Sequence, residues 1–458
     1  MASLVAGFFP PDLSLSYLAA LTVPLLQTVG MAAGGMLIAC VVGLPLAMLI
    51  GAQVRGARLL YSLLSGLRAI PDLTLAILCV VVVGIGPAAG MLALAIFYAA
   101  MLGKVFADLF LAADWRPIEA LRSVGATRLM VAFYGLLPIT VTNLVSMGCY
   151  SFECAVRAAV IVGAVGGGGL GAELVGTINA FDYGRATTLI ILLVILVSVL
   201  DSLSWLLRRH PRATLLLIPF GLAALWTYWP ETIALRHAAT TIGAMFPPTL
   251  PLPALQALPR LLLETVFIAG AGTLLAAALA MPLGLIAARN LVPAPVAAAT
   301  RMLLETLRAV PEVIWGLVLV TLVGVGPIAG VLALGLHSAG VLGKLYAEAC
   351  ENVRRAPVQA LEATGAPRLA VACYATLPLA SGPMGIHTLF RLEWNLRAAS
   401  VVGMIGAGGI GQALYNAQQL FFYDQMMAYV LITWAIILLA DALSDWTRRR
   451  LGWAAVMA

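Results

Sequence analysis

Uncharged apolar runs constrain this chain more than any other feature. Leu73–Gly86 carries no charged side chain, and Thr188–Leu207 carries only Asp201. Several such runs approach or exceed the roughly 20 residues that cross a bilayer as a helix. A soluble core of this size would not need them, because only 10% of the 458 residues are charged, against about 25% in soluble domains. The reading is an all-α, polytopic membrane protein.

Against that background, Gly406–Gly411 raises a false lead. "GAGGIG" satisfies G-x-G-x-x-G, which marks a dinucleotide-binding turn only between a strand and a helix. No soluble βαβ unit is visible here. The same kind of stretch, "GGGGLG" at 166–171, stands 240 residues earlier. The offset holds for "LRAIPD" (67–72) and "LRAVPE" (307–312), and for "LGKVFAD" (102–108) and "LGKLYAE" (342–348). Near the start of each half, "FFPPDL" (8–13) matches "MFPPTL" (245–250) at an offset of 237. The chain is therefore a tandem duplication, a common arrangement in transporters. We expect a first unit at 8–210, a linking transmembrane helix with a periplasmic segment at 211–244, and a second unit at 245–450.

Five spans are expected in the first unit, about 20–50, 60–86, 87–110, 129–150 and 186–207. Ala213–Trp229 joins the units. The second unit repeats the five at about 262–288, 300–326, 327–350, 369–390 and 427–447, which makes about 11 spans. With the N-terminus periplasmic and the C-terminus cytoplasmic, every Lys and Arg lies at or near the cytoplasmic side except Arg157, Arg185, Arg236, Arg260, Arg391 and Arg397. Basic residues mark cytoplasmic loops, so this bias supports the orientation. Five spans plus one also return the second unit to the orientation of the first, so the repeats are parallel.

The best-matched segments are 117–138 and 357–378, identical at 12 of 22 positions. Each reads as a short polar helix, a Gly turn and a new membrane helix. Glu119, Ala120, Gly125 and Pro138, with Gln359, Ala360, Gly365 and Pro378, resemble the EAA loop of ABC-importer permeases. The finer resemblance is to the phosphonate-type, MetI-like permeases. It rests on "LRAVPEVIWGLVLV", "LALGLHSAGVLGKLYAE" and "NLRAASVVGMIGAGGIG" in the second unit, and the first unit is a more divergent copy. The resemblance implies two MetI-like five-helix permease units in one inner-membrane chain. It implies import of phosphonate or a related oxyanion such as phosphite or phosphate. It also implies two copies of a cytoplasmic ABC ATPase, which would hold the ATP and Mg, and a periplasmic substrate-binding protein. Membrane lipid is expected around the chain, and no nucleic acid. Methionine or glycine betaine permeases are the runner-up. Gln359 departs from the acidic residue of the EAA pattern, so the two docking helices are expected to be unequal.

Glu153/Arg157 and Glu393/Arg397 stand at i, i+4, which puts both charges of each pair on one helix face. Either the arginines attract an oxyanion, since guanidinium suits phosphate-like oxygens, or each neutralises its glutamate. The Gly-rich stretches, with Gly166, Gly168, Gly406 and Gly408, read as loops near the external mouth of a path or as structural re-entrant turns. Lys104/Asp108 and Lys344/Glu348 read first as helix-stabilising pairs and second as an inner gate. Gly103-Lys104 and Gly343-Lys344 lack the Ser/Thr and the upstream Gly of a P-loop, so this chain is not expected to bind ATP. The six cysteines and four histidines are scattered, and no catalytic or metal-ligand cluster is apparent. A secondary transporter or a membrane enzyme would need ion-site carboxylates or a clustered polar site instead.

Overall fold

The computed structural model describes residues 7, 9–209, 211–229 and 235–450, and among these no residue lies in a strand. Residues 8, 210 and 230–234, on which the expected boundaries of the first unit and part of the linking segment fall, lie outside the described residues. The chain divides into two compact units, Met1–Ala244 and Met245–Ala458. The 211–244 segment thus groups with the first unit.

The first unit opens with α1 (Thr22–Gly51), then the pair α2 (Ala57–Arg68) and α3 (Asp72–Val83), then α4 (Pro87–Leu111). A short helix, α5 (Arg116–Ser123), leads to the long α6 (Leu137–Val162), then α7 (Gly169–Asn179), α8 (Tyr183–Arg209) and α9 (Leu217–Tyr228). The second unit repeats the order: α10 (Leu252–Ala287), α11 (Ala294–Ala309), α12 (Glu312–Val323), α13 (Pro327–Glu351), α14 (Arg355–Glu362), α15 (Leu377–Val402), α16 (Gly409–Gln419) and α17 (Tyr423–Arg450).

Among the described residues seven helices are long and apolar enough to cross a membrane, or up to ten if each sharply bent pair forms one span. Ala213–Tyr228, at the expected joining span, is a shorter apolar helix. Two features depart from the expected spans. The second span of each unit, expected at 60–86 and 300–326, is broken, with bends of 86° between α2 and α3 and 84° between α11 and α12. Pro71 and Pro311 stand at the breaks, where proline has no N–H to donate and restricts the residue before it to extended backbone. The fourth spans, expected to end near 150 and 390, run on as α6 and α15 to Val162 and Val402. The Glu/Arg pairs therefore lie within these helices.

Small residues set the core. A methyl group on Gly35 would come within 3.0 Å of the backbone of α4, and one on Gly43 within 3.0 Å of Ala99 O. In the second unit Gly272 and Gly284 hold the same close approach of α10 to α13. Between membrane helices, where lipid is as apolar as leucine, such close backbone packing is a main source of association.

Candidate functional site

Two exposed helices stand out because a membrane chain has little reason to hold short polar helices rigidly. In α5, Ile118 is fully buried and packs beneath Gly135, while Glu119 and Ala120 are exposed. Gly125 N donates to Arg122 O at 3.0 Å and Ala126 N to Leu121 O at 3.2 Å, closing the helix end. Gly125 has φ +84°, a left-handed backbone that favours glycine. Thr127 then accepts from Met130 N, and a wide π-type turn (Val131–Leu136) runs into α6, whose first turn holds Pro138. The second unit repeats the main steps, though with Pro367 in place of Thr127 and no buried residue in the short helix: α14 with exposed Gln359 and Ala360, Gly365 at φ +79°, a π-type turn at Ala372–Thr376, then Pro378 opening α15. Exposed Val124 and Tyr134 flank α5, and exposed Tyr374 follows α14.

At its far end, α6 does not open into a loop. It passes through a wide turn at Gly163–Gly167, with Gly166 at φ 108° and Gly168 at φ 83°, and restarts as α7. The first N–H groups of a helix lack intrahelical partners. Here α1 supplies them: Gly169 N donates to Gln27 Oε1 at 3.0 Å and Leu170 N to Thr28 Oγ1 at 2.9 Å. Gly86 N, before α4, donates to Gly166 O at 2.8 Å. In the second unit Glu264 and Thr265 cap Gly409 N and Ile410 N at 3.1 and 3.0 Å, and Gly326 N donates to Gly406 O at 2.9 Å. The stretches with Gly166, Gly168, Gly406 and Gly408, expected either as loops near an external mouth or as structural re-entrant turns, are braced helix breaks, because their carbonyls and amides are taken up by neighbouring helices. Gln27, Thr28, Glu264 and Thr265 escaped the sequence reading. Their signal was a pair of polar residues repeated at an offset of 237 in otherwise apolar first spans.

The charged pairs divide. Arg157 donates to Glu153 Oε1 at 3.1 Å, and Glu153 is 5% exposed. Arg397 donates to both oxygens of Asp441 on α17, at 2.8 and 2.6 Å. The i, i+4 spacing names Glu393 for Arg397 and does not reveal Asp441. Both bonds come from one guanidinium nitrogen, Nη2, which bridges the two carboxylate oxygens; the contact is charge-assisted and made across helices. Asp201, the lone charge of its run, is the matched residue of α8 and was the signal for Asp441.

Lys104 and Asp108 form an ion pair at 3.4 Å, with Tyr61 OH donating to Asp108 at 2.8 Å. Lys344 and Glu348 form no ion pair among the described residues. Glu348 instead borders a cavity of about 370 Å³ with Asn352, Arg354 and His387. The second unit also carries a buried polar chain absent from the sequence reading. Arg391 Nε donates to Ser338 Oγ at 2.8 Å, Ser338 to Asn395 Oδ1 at 2.9 Å, and Asn395 Nδ2 to Thr273 Oγ1 at 2.9 Å. The first unit has Ser151, Tyr98 and Ala155 where the second has Arg391, Ser338 and Asn395. Among the described residues no group of three or more His, Cys, Asp or Glu is placed to hold a metal ion.

The Arg397–Asp441 ion pair makes a test possible. Arg397→Gln strands a carboxylate whose side chain is only 27% exposed, so the thermal midpoint of the solubilised protein is expected to fall. The loss is on the order of 2 kcal/mol, below that of a fully buried pair. Adding Asp441→Asn should recover most of it. A double variant no more stable than Arg397→Gln would mean that the ion pair does not hold α17.

Comparison with known proteins places these features in context. The profile of the family described as "Binding-protein-dependent transport system inner membrane component" matches residues 41–214 and again 280–453. The chain is 30% identical over 411 residues to the phosphate-import permease protein PhnE of Mycolicibacterium smegmatis, covering 84% of this chain and 76% of that one. It is 42% identical over 191 residues to the phosphite transport system permease protein PtxC of Stutzerimonas stutzeri, covering 42% of this chain and 70% of that one. Among solved structures, an inward-facing form of the MetNI methionine ABC transporter matches at 19% identity and a TM-score of 0.40, over 44% of this chain and 99% of that one.

Proposed function

Because this chain belongs to the family of binding-protein-dependent transport system inner membrane components, whose domain it carries twice, we propose that it supplies both transmembrane halves of an ATP-driven importer. The cargo is phosphonate or a related oxyanion, phosphite or phosphate. Relatives named for phosphate and phosphite transport support that class. A periplasmic binding protein delivers the substrate. Two copies of a cytoplasmic ATPase, which hold the ATP and Mg, dock on α5 and α14. The chain lies in the inner membrane with its N-terminus periplasmic, an orientation that the placement of Lys and Arg supports.

The observation that carries this reading is the duplicated exposed helix joined through a left-handed glycine to a long membrane helix. When the ATPase subunits close, each pushes on one docking helix. The buried Ile118 keeps α5 from tilting independently, so displacement passes through the wide turn into α6. At 1.5 Å per residue, the 26-residue α6 carries that displacement roughly 39 Å. It ends at the glycine break, where Gln27, Thr28 and Gly86 hold the far end. A rigid rod between a docked end and a hinged end turns closure on one side into opening on the other. Arg157 and Arg397 act first as partners of Glu153 and Asp441, and their guanidinium groups are candidates for drawing an oxyanion along the path.

Reconstitution tests this. The chain alone in proteoliposomes is expected neither to hydrolyse ATP nor to accumulate phosphonate. Adding the ATPase and binding protein should produce ATP-dependent uptake. Accumulation by the chain alone, driven by an ion gradient, would overturn the reading.

A further inference from the structure

One basic surface plays no part in the mechanism above. The turn between α1 and α2 opens onto a cavity of about 800 Å³, lined by Gln53, Val54, Arg58, Tyr61, Ser62 and Leu111. That volume lies within the roughly 300–1,000 Å³ of ligand sites. Arg58 and its neighbour Arg55 are exposed, and among the described residues neither forms an ion pair. The carboxylate facing Tyr61, Asp108, is already held by Lys104 and by the Tyr61 hydroxyl. The net field at the cavity mouth is therefore positive.

The helix beside it is built for an interface. In α2, Leu59 and Leu63 are 66% and 60% exposed, one turn apart on the same face. Apolar side chains so exposed need hydrocarbon, while arginines at the start of the helix reach headgroups, the pattern of an interfacial amphipathic helix. The second unit offers an internal comparison. Where the first has Tyr61 and Leu111, the second has Arg301 and Glu351. Arg301 donates to Glu351 at 2.7 Å and to Ala287 O at 2.9 Å, and Arg289 N donates to Glu351 at 2.7 Å. The matched place is thus tied shut by its own residues.

We propose that the α1–α2 cavity of the first unit binds an anionic phospholipid, with its phosphate on Arg58 and Arg55 and its chains along Leu59 and Leu63. Hydroxyls of Ser62 and Tyr61 and the Gln53 amide border the headgroup. Arg128, which follows the docking-helix turn, donates to Gln53 O at 2.5 Å. The lipid thus sits against the segment that joins α5 to α6. This inference rests on the reading of α5 as a docking helix only for its effect on transport. The binding itself does not depend on it.

The test is native mass spectrometry of the full transporter taken from nanodiscs of phosphatidylglycerol, of phosphatidylcholine, or of phosphatidylcholine with millimolar inorganic phosphate. Retained phosphatidylglycerol is expected on the wild-type protein. Arg55→Gln with Arg58→Gln should weaken retention about 30-fold, on the order of fivefold per arginine beside an anionic surface. Arg55→Lys with Arg58→Lys should keep most of it, and intact complex in both spectra reports folding. Equal retention of phosphatidylcholine, or undiminished phosphatidylglycerol on the Gln variant, would mean an adventitious lipid only. Phosphate adducts that disappear in the Gln variant, without lipid, would assign the site to free phosphate and overturn the proposal. Failed uptake with normal lipid retention would count against the transport reading and leave the lipid site standing.

Discussion

Gly411→Ala is expected to abolish the folded second unit. A β-carbon there would lie 1.9 Å from Ser400 O and 2.8 Å from Ser400 C, backbone atoms in the last turns of α15. Real atoms do not approach so closely, and a helix backbone cannot swing aside as a flexible side chain can. Overpacking a core costs roughly 1–3 kcal/mol where side chains can adjust, so this substitution is expected to exceed about 3 kcal/mol. Gly171→Ala meets Val160 O at the same 1.9 Å and should behave alike in the first unit. Gly270→Ala is the control, because nothing lies within 4 Å of the added atom. Alanine is also the better helix former by about 1 kcal/mol. Folded yield and the thermal midpoint of solubilised protein decide the matter. Wild-type values for Gly411→Ala would mean that α15 and α16 do not meet as described.

Gly125→Val and Gly365→Val are expected to separate ATP hydrolysis from uptake. The added atoms meet nothing within 4 Å at either site, so any effect is backbone strain rather than crowding. A left-handed residue with a side chain costs roughly 1–2 kcal/mol, and a β-branched one more. The chain can relieve that strain by re-aiming α5 or α14, which turns a stability cost into a loss of registration. Uptake should fall about tenfold or more while the assembled complex still hydrolyses ATP. The strain is about one to two tenfold steps in energy. Gly125→Asn should be milder, because asparagine tolerates this conformation. Glu119→Gln should be close to neutral, since Gln359 already occupies the matched position. Wild-type uptake per ATP in both valine variants would remove α5 and α14 from the coupling role.

Much of the candidate site was legible because it is local. The short polar helices follow from Gly125, Gly365 and their flanking polar residues, each set within its own 22 contiguous positions. The Glu153–Arg157 pair followed from helical spacing alone. Other features were not legible from spacing. An i, i+4 rule names Glu393 for Arg397, but a guanidinium reaches farther than one helix face, and Asp441 lies on a helix that packs against it. The Lys344/Glu348 spacing equals that of Lys104/Asp108, yet only the latter closes, where Tyr61 from α2 also holds the carboxylate.

The sequence by itself determined that this is a helical membrane chain, that it is duplicated, and where the short polar helices fall. These properties depend on contiguous hydropathy, on repetition at a constant offset and on the backbone preferences of proline and glycine. Only the tertiary structure decided that the glycine stretches are braced helix breaks rather than open loops. Gln27 meets Gly169 across 142 residues of chain. Such a meeting depends on how far each helix is rotated and how deep it sits, which no local pattern encodes. The same reason explains why α1 and α2 leave a basic cavity in one unit, while Arg301 and Glu351 tie the matched place shut in the other.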